Sequence, residues 1–217
     1  MVAANLLPAI REAIKQNEIG NGSPYVLSFA RLGSSGASFG IFQGDTNVNP
    51  LARDTLAQIL HAQHADPIAV TRIIVELSRP CPNGNPLSAS DTNLVNSALS
   101  SGAGRVAVDQ MDSVLLNIVL GELDTCITAA ASVNKTLAPI VQLYIALWVN
   151  MTGAPHTLNR WLTGTTVSGV APPAGPVVTL DDIAAYLRAS TYFKLHPRNF
   201  IHMSDSVGAG AQLLPAA

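Results

Sequence analysis

The stretch LAPIVQLYIALWV, residues 137–149, is the most apolar run in the chain. Apart from Pro139 and Gln142, it places apolar or aromatic side chains on nearly every side of a helix, which is typical of a buried helix. The run is shorter than the roughly 20 residues that a membrane-spanning helix needs. The stretch therefore predicts the central helix of a bundle, over residues 135–150.

The composition of the whole chain agrees with closely packed helices. The 217 residues are 48% apolar, 12% charged and 5% aromatic, so the apolar share is mainly aliphatic. These proportions exclude a disordered chain, which needs low hydrophobicity and high charge. The net charge is −2 and the sequence has no basic run, which excludes the electrostatic footprint of a nucleic-acid-binding protein. We expect a single domain over residues 1–217, because no linker divides the sequence.

Capping signals and glycine-rich stretches place most of the other elements. Asn49 and Asp66 each precede a proline, and this pattern predicts helices that end near residues 64 and 78. Thr179-Leu-Asp-Asp resembles a capping box and predicts a helix to about residue 189. Further helices are expected over residues 3–17, 88–100, 105–132 and 156–162, and a break near Gly121 is left open in the third of them. A surface loop over 163–178 and a loose tail over 204–217 complete the prediction.

Residues 20–50 differ from the rest of the chain. Gly, Ser, Asn and Pro interrupt short apolar pieces there, which predicts loops with one or two short strands. The predicted fold is therefore mainly α: a helical bundle around a central apolar helix, with a small irregular β region near residues 25–45.

The segment from Gly36 to Gly40 fits the G-x-S-x-G pattern of serine hydrolases, with Ser38 as the nucleophile. That motif needs a strand directly before the serine and a helix directly after it. The residues before Ser38 predict a poor strand, and Gly, Asn and Pro follow Gly40 where the helix should begin. A serine hydrolase using Ser38 is therefore kept only as an alternative.

A second interpretation of the same region starts from Glu18. Gly20 and Gly22 stop the predicted first helix, so Glu18 lies at its C-terminal end. The strand-like segment FGIFQGD, residues 39–45, follows 21 residues after Glu18. Together these features resemble the lysozyme-like superfamily, above all goose-type lysozymes and bacterial lytic transglycosylases. Those enzymes carry a catalytic Glu at a helix end, then a glycine-rich segment and a strand of the form small-Phe-Gly-apolar-apolar-Gln-x-Asp.

The resemblance implies an α+β lysozyme-like fold and a peptidoglycan-degrading glycosidase that cleaves β-1,4 links between amino sugars. It implies that Glu18 is the general acid and that Asp45 is the base that activates water. Residues 146–153 and 159–162 match more loosely the later segment that lines the cleft in this family. This match adds Asn150 to the implied site. The residues implied to shape the sugar site are Phe39, Gly40, Gln43 and Asn150.

Two positions depart from the family pattern, and they keep alternatives open. Ile19 stands where the family usually has Ser, and Ser34 and Ser35 stand near the position of the second Asp of goose-type enzymes. The first alternative is a lytic transglycosylase without a second acid. The second alternative is a glycan-binding helical protein without catalysis.

The chemistry of glycoside cleavage fits a carboxylic acid at a helix end. The acid must still be protonated near neutral pH. The negative end of the helix dipole disfavours the charged form of Glu18, and partial burial beside Ile19 and Phe39 would raise its pKa as well. An inverting enzyme also needs a carboxylate about 6.5–9.5 Å away, which Asp45 would supply if the strand folds back. A transglycosylase needs no such group, because the sugar's own hydroxyl attacks.

The remaining predictions concern cofactors, cysteines and location. No cofactor and no metal site are expected, and Cys81 and Cys126 are interpreted as buried thiols, with a disulfide left open. No signal peptide and no transmembrane segment are predicted. We expect action on the cell wall after export, as by a phage endolysin or a secreted effector, or secretion with the signal trimmed. The oligomeric state is left open.

Overall fold

The computed structural model describes residues 2–31, 33–153 and 155–214. The chain divides into two compact units, which are described separately. Unit 1 comprises Met1–Gly20 and Leu116–Ala217, and unit 2 comprises Asn21–Leu115. Helices dominate and the strands are short, which confirms the predicted mainly α fold. That the two units form one domain stays a prediction.

Unit 1 is built mainly from helices that come from both parts of the chain. Its helices are α1 (Leu7–Glu18), the later part of α5 (Gly102–Ser132), α6 (Pro139–Thr152), α7 (His156–Leu162), α8 (Leu180–Ala189), α9 (Thr191–Leu195) and α10 (Pro197–Ala211). Two short parallel strands, Thr136–Leu137 and Val177–Val178, pair beside them. In chain order these strands are β4 and β5.

Helix α6 is the central helix of unit 1, as predicted. Val141 and residues 143–149 are buried, and the helix packs against α1, α8 and α10. The predicted start at residue 135 is wrong, because β4 occupies residues 136–137. The helix begins at Pro139 instead, since the fixed φ of proline suits the first helical position and that position needs no N–H donor.

Helix α10 packs so closely on α1 that the backbones of the two helices touch at Gly210. A Cβ atom placed on Gly210 would lie 2.5 Å from the carbonyl oxygen of Ala9 and 2.8 Å from the Cβ of Ala13. Both alanines are fully buried. Glycine is therefore required here by the close approach of another backbone.

The predicted loose tail over residues 204–217 is wrong for residues 204–211, which form the second half of α10. The glycines and alanines of this segment predict a flexible tail, but Gly210 instead allows α10 to pack closely on α1. Residues 215–217 lie outside the described residues.

Unit 2 combines a small sheet with three helices and the first part of α5. Its elements are β1 (Ser28–Phe29), β2 (Ala37–Phe39), β3 (Gly44–Asp45), α2 (Pro50–Ala62), α3 (Pro67–Leu77) and α4 (Ala89–Ser100). The strands form an antiparallel sheet in the order β1-β2-β3, which confirms the predicted β region but has three short strands where one or two were expected. The caps are also as predicted, because the Asn49 side chain accepts from Leu51 N and the Asp66 side chain accepts from Ile68 N and Ala69 N.

Helix α5 runs without a break from Gly102 to Ser132. The break that the sequence allowed near Gly121 does not occur, since that glycine faces open space and nothing forces a kink. In the described part of the chain, α5 is the one helix long and apolar enough to cross a membrane by length and composition. One such helix is weak evidence of a membrane span, because the core helices of soluble proteins pass the same test.

The predicted surface loop over residues 163–178 contains no helix, and only its last two residues, which form β5, are in a named strand. Within it, Val167 and Val170 pair across a two-residue turn whose central residues, Ser168 and Gly169, both have positive φ. A tight two-residue hairpin turn of type I′ requires positive φ at both central residues. The predicted capping box at Thr179 then opens α8, with both of its reciprocal hydrogen bonds formed.

Replacing Gly210 by Ala is expected to destabilise the protein by about 1–3 kcal/mol, because the new methyl group would overlap the backbone of α1. Denaturation in urea measures the change. Gly208→Ala is the matched control, since Gly208 lies on the same helix with nothing within 4 Å of its missing Cβ. The control should stabilise the protein by up to about 1 kcal/mol. Equal effects of the two substitutions would contradict the backbone contact.

Candidate active site

Glu18 is the last residue of α1, as the sequence predicts. The backbone N–H groups of Ile19 and Gly20 both donate to the carbonyl oxygen of Lys15, at 2.9 and 3.0 Å. Gly20 has φ +54°, which gives the helix a left-handed C-terminal cap. The glycine therefore fixes where the helix ends and places the Glu18 carboxyl group at the negative end of the helix dipole.

The Glu18 carboxyl group is bound by two amide side chains. Its Oε1 accepts a hydrogen bond from Nδ2 of Asn150 at 2.9 Å and another from Nδ2 of Asn17 at 3.1 Å. Asn150 belongs to the central helix α6. Two predicted site residues that are 132 positions apart in the sequence thus meet within unit 1.

The pKa of Glu18 is raised above the ordinary value, and burial of the half-buried carboxyl group is the main cause. The hydrogen bonds from Asn17 and Asn150, and the charge of His202, lower the pKa and oppose part of that rise. A larger fraction of Glu18 is therefore protonated near neutral pH than of an exposed glutamate. The two amides remain in place to stabilise the carboxylate once the proton has left, which suits a general acid.

His202 is a neighbour of this group that sequence reasoning missed. It lies on α10, and its Nε2 is 2.9 Å from the backbone carbonyl oxygen of Asn17. When protonated, the exposed ring lowers the pKa of Glu18 through its charge. No local pattern links the two residues, because 184 positions separate them and only the packing of α10 on α1 brings them close.

In unit 2, a buried carboxylate organises the turn after β2. Asp112 is fully buried on α5, and it accepts hydrogen bonds from the backbone N–H of Ile41 at 2.8 Å and of Phe42 at 3.3 Å. Gly40 has φ +82°, and a Cβ there would lie 2.5 Å from an Asp112 oxygen. Gly40 is therefore required by the turn itself, and Asp112 is a structural residue that the sequence did not reveal.

Two other predicted sugar-site residues belong to the same turn and strand. Gln43 donates from Nε2 to the carbonyl oxygen of Gly40 at 3.0 Å, and its Oε1 accepts from the Ser28 hydroxyl. Phe39 has no exposed surface and lies in the hydrophobic core of unit 2. The phenyl ring thus supports the strand, while Gln43 is only partly buried. Their roles in sugar binding stay predictions.

The Asp45 carboxylate holds its own loop. Both of its oxygens accept from the backbone N–H of Gly36, at 3.1 and 3.2 Å, and Oδ1 also accepts from the N–H of Asn47 at 2.8 Å. The bond to Asn47, two residues on, forms an Asx turn. These contacts give Asp45 a structural task, and its role as the water-activating base stays a prediction.

The surroundings of Ser38 lack the strand–turn–helix arrangement that the serine-hydrolase alternative requires. That residue lies inside a short antiparallel sheet and is 7% exposed. The next helix, α2, begins only at Pro50. A nucleophile elbow places its serine between a strand and a helix that follows at once. Ser38 does not occupy such a position.

The described residues offer neither a metal cluster nor a disulfide. Among residues 2–31, 33–153 and 155–214, no group of three or more His, Cys, Asp or Glu residues is placed to hold a metal ion. Cys81 and Cys126 are both buried free thiols. Burial raises the pKa of the Cys126 thiol to about 12, so it is unreactive as a nucleophile near neutral pH.

Comparison of the chain with protein-family models, with curated proteins and with solved structures found no match. The resemblance to lysozyme-like enzymes therefore rests on the residues quoted above.

Replacing Asn150 by Leu is expected to raise the pKa of Glu18 further, because the substitution removes a hydrogen bond that favours the carboxylate. The carboxyl carbon of Glu18 can be followed by NMR during a pH titration. Met151→Leu, at the next position of α6, is the control and should leave the titration unchanged. An Asn150→Leu protein whose Glu18 titrates at the same or a lower pH would contradict the assignment.

Proposed function

We propose that this protein is a lysozyme-like glycosidase that cleaves β-1,4 links between amino sugars, with peptidoglycan as the substrate and Glu18 as the general acid. The observation that carries the proposal is the Glu18 carboxyl group at the end of α1, whose pKa is raised and which receives two amide hydrogen bonds. The sequence of residues 39–45 supports the same family of reactions.

Glu18 begins the reaction by donating its proton to the oxygen of the glycosidic bond as the bond from that oxygen to the sugar carbon breaks. Asn17 and Asn150 then stabilise the carboxylate that remains. The same carboxylate next takes up a proton from the group that attacks the sugar carbon, and this restores the acid.

The attacking group is a hydroxyl of the cleaved sugar itself, so the proposed reaction is that of a lytic transglycosylase. The contacts of Asp45 support this choice. Its carboxylate already accepts hydrogen bonds from the N–H groups of Gly36 and Asn47, so it has a structural task other than activating water. A hydrolase in which Asp45 activates water is the other form of the same proposal, and the two give different products.

Incubation of the protein with purified peptidoglycan, followed by mass analysis of the released fragments, tests the role of Glu18. Glu18→Gln should lower the cleavage rate by at least about 100-fold, since general acid catalysis contributes that much. Glu12→Gln is the matched control, because Glu12 is another half-buried carboxylate on α1, bound by Gln16. Equal cleavage rates for wild type and Glu18→Gln would overturn the proposal. If wild type releases no fragments and both proteins bind peptidoglycan equally well, the protein is a glycan-binding protein without catalysis.

The products and an Asp45→Asn variant distinguish the two forms of the reaction. Anhydro sugar ends are expected, and Asp45→Asn should retain most of the cleavage rate while losing about 1–3 kcal/mol of stability, since the loop loses acceptors. The free energy of unfolding and the rate are measured on the same preparations. Reducing ends, together with a large loss of rate at unchanged stability, would make Asp45 the base of a hydrolase.

The proposed substrate also gives the proposed place of action, since peptidoglycan lies outside the cytoplasmic membrane. The protein would reach it after export, as a phage endolysin or a secreted effector does, or as a secreted protein. This setting depends entirely on the proposed substrate.

A further inference from the structure

Unit 1 contains a pocket of about 260 Å³ beside the central helix. Residues of α6, α7, α8 and α9 line it together with the turn at residues 167–168. Glu18 and Asn150 are not among the lining residues. Trp148, which does line it, stands two positions before Asn150 on α6, and this spacing separates the two side chains by about 200° around the helix. The pocket is therefore a separate place from the proposed catalytic group.

Three aromatic side chains line the pocket: Trp148, Tyr186 and the partly buried Tyr192. Trp148 and Tyr186 are buried, with exposed fractions of 8% and 4%. The ring centroid of Trp148 lies 5.4 Å from that of Phe193 and 6.2 Å from that of Tyr192. Tyr186 packs on Trp161 with a centroid distance of 4.8 Å. These contacts fix the aromatic surface in place before any ligand binds.

Hydroxyl groups form the mouth of the pocket. Thr157, Ser168 and Thr191 are exposed lining residues, and the Thr157 hydroxyl is 3.0 Å from the hydroxyl of Tyr186. Each of these groups can both donate and accept a hydrogen bond. The paired turn between Val167 and Val170 holds the backbone of Ser168 at this position. None of the lining residues carries a charge.

We propose that this pocket binds a single neutral sugar ring. A sugar ring has apolar C–H faces for an aromatic surface and a rim of hydroxyl groups for hydroxyl partners, and amphipathic aromatic residues suit such wet sites. Pockets for drug-sized ligands span about 300–1,000 Å³, so the smaller volume here suits one ring. The inference goes beyond the proposed function, because the pocket binds its sugar whether or not Glu18 cleaves anything.

Tryptophan fluorescence tests the pocket directly, since the chain has two tryptophans and one of them lines it. In a protein carrying Glu18→Gln and Trp161→Phe, Trp148 is the sole tryptophan reporter and cleavage is removed. Titration with N-acetylglucosamine should change its emission in a saturable way. A flat or purely linear response would overturn the proposal.

Added bulk at the mouth should block the site. Thr191→Phe, made in the same background, is expected to weaken binding at least tenfold. Thr166→Phe is the matched control, because Thr166 is exposed on the neighbouring loop and does not line the pocket. Circular dichroism checks that both proteins are folded. Equal affinities of the two variants would place the sugar elsewhere and overturn the proposal.

Removal of a single hydroxyl gives a milder second test that leaves the shape of the pocket unchanged. Thr157→Val should weaken binding of N-acetylglucosamine severalfold. Cyclohexanol, which has the ring without the rim of hydroxyl groups, should bind more weakly than the sugar. Equal binding of the two compounds would show an unselective apolar pocket, which would also overturn the proposal.

Discussion

The backbone contact between α1 and α10 is the constraint on which the arrangement of unit 1 depends. Gly210 allows α10 to approach Ala9 and Ala13 without an intervening side chain. That approach sets the position of α1, which also packs on α6. The end of α1 therefore meets Asn150 on one helix and His202 on another. The contacts of Glu18 with Asn150 and His202, which oppose part of the rise in its pKa caused by burial, are thus products of helix packing.

Elements with local signals could be predicted from the sequence, and elements defined by packing could not. Asn49, Asp66 and Thr179 carry their caps within a few residues, so the starts of α2, α3 and α8 were predicted correctly. The sequence predicts neither α9 nor α10, and a glycine that serves close packing, such as Gly210, gives the second half of α10 the composition of a flexible tail. The break considered near Gly121 failed for a related reason, since an exposed glycine weakens a helix without ending it.

The candidate site divides in the same way. Glu18 could be located because Gly20 stops the helix beside it, but its partners Asn150 and His202 lie far away in the sequence. Among the acidic residues, the sequence drew attention to Asp45, whose carboxylate binds its own loop. It gave no sign of Asp112, which is buried and holds the turn at residues 41–42. The partners of Asp112 lie 71 and 70 positions away in the sequence, so no local pattern could reveal its structural task.

The division of unit 1 between distant parts of the chain has a consequence for biosynthesis. Unit 2 is a continuous segment, Asn21–Leu115, so all of its contacts can form as soon as that segment has left the ribosome. Helix α1 emerges first but must wait for α10, and contacts between such distant segments form late because closing a long loop costs entropy. The surroundings of Glu18 are consequently completed only after α10 has left the ribosome. A nascent or truncated chain without α10 would lack both His202 and the helix that packs against α1, so the carboxyl group of Glu18 would not yet have its final surroundings.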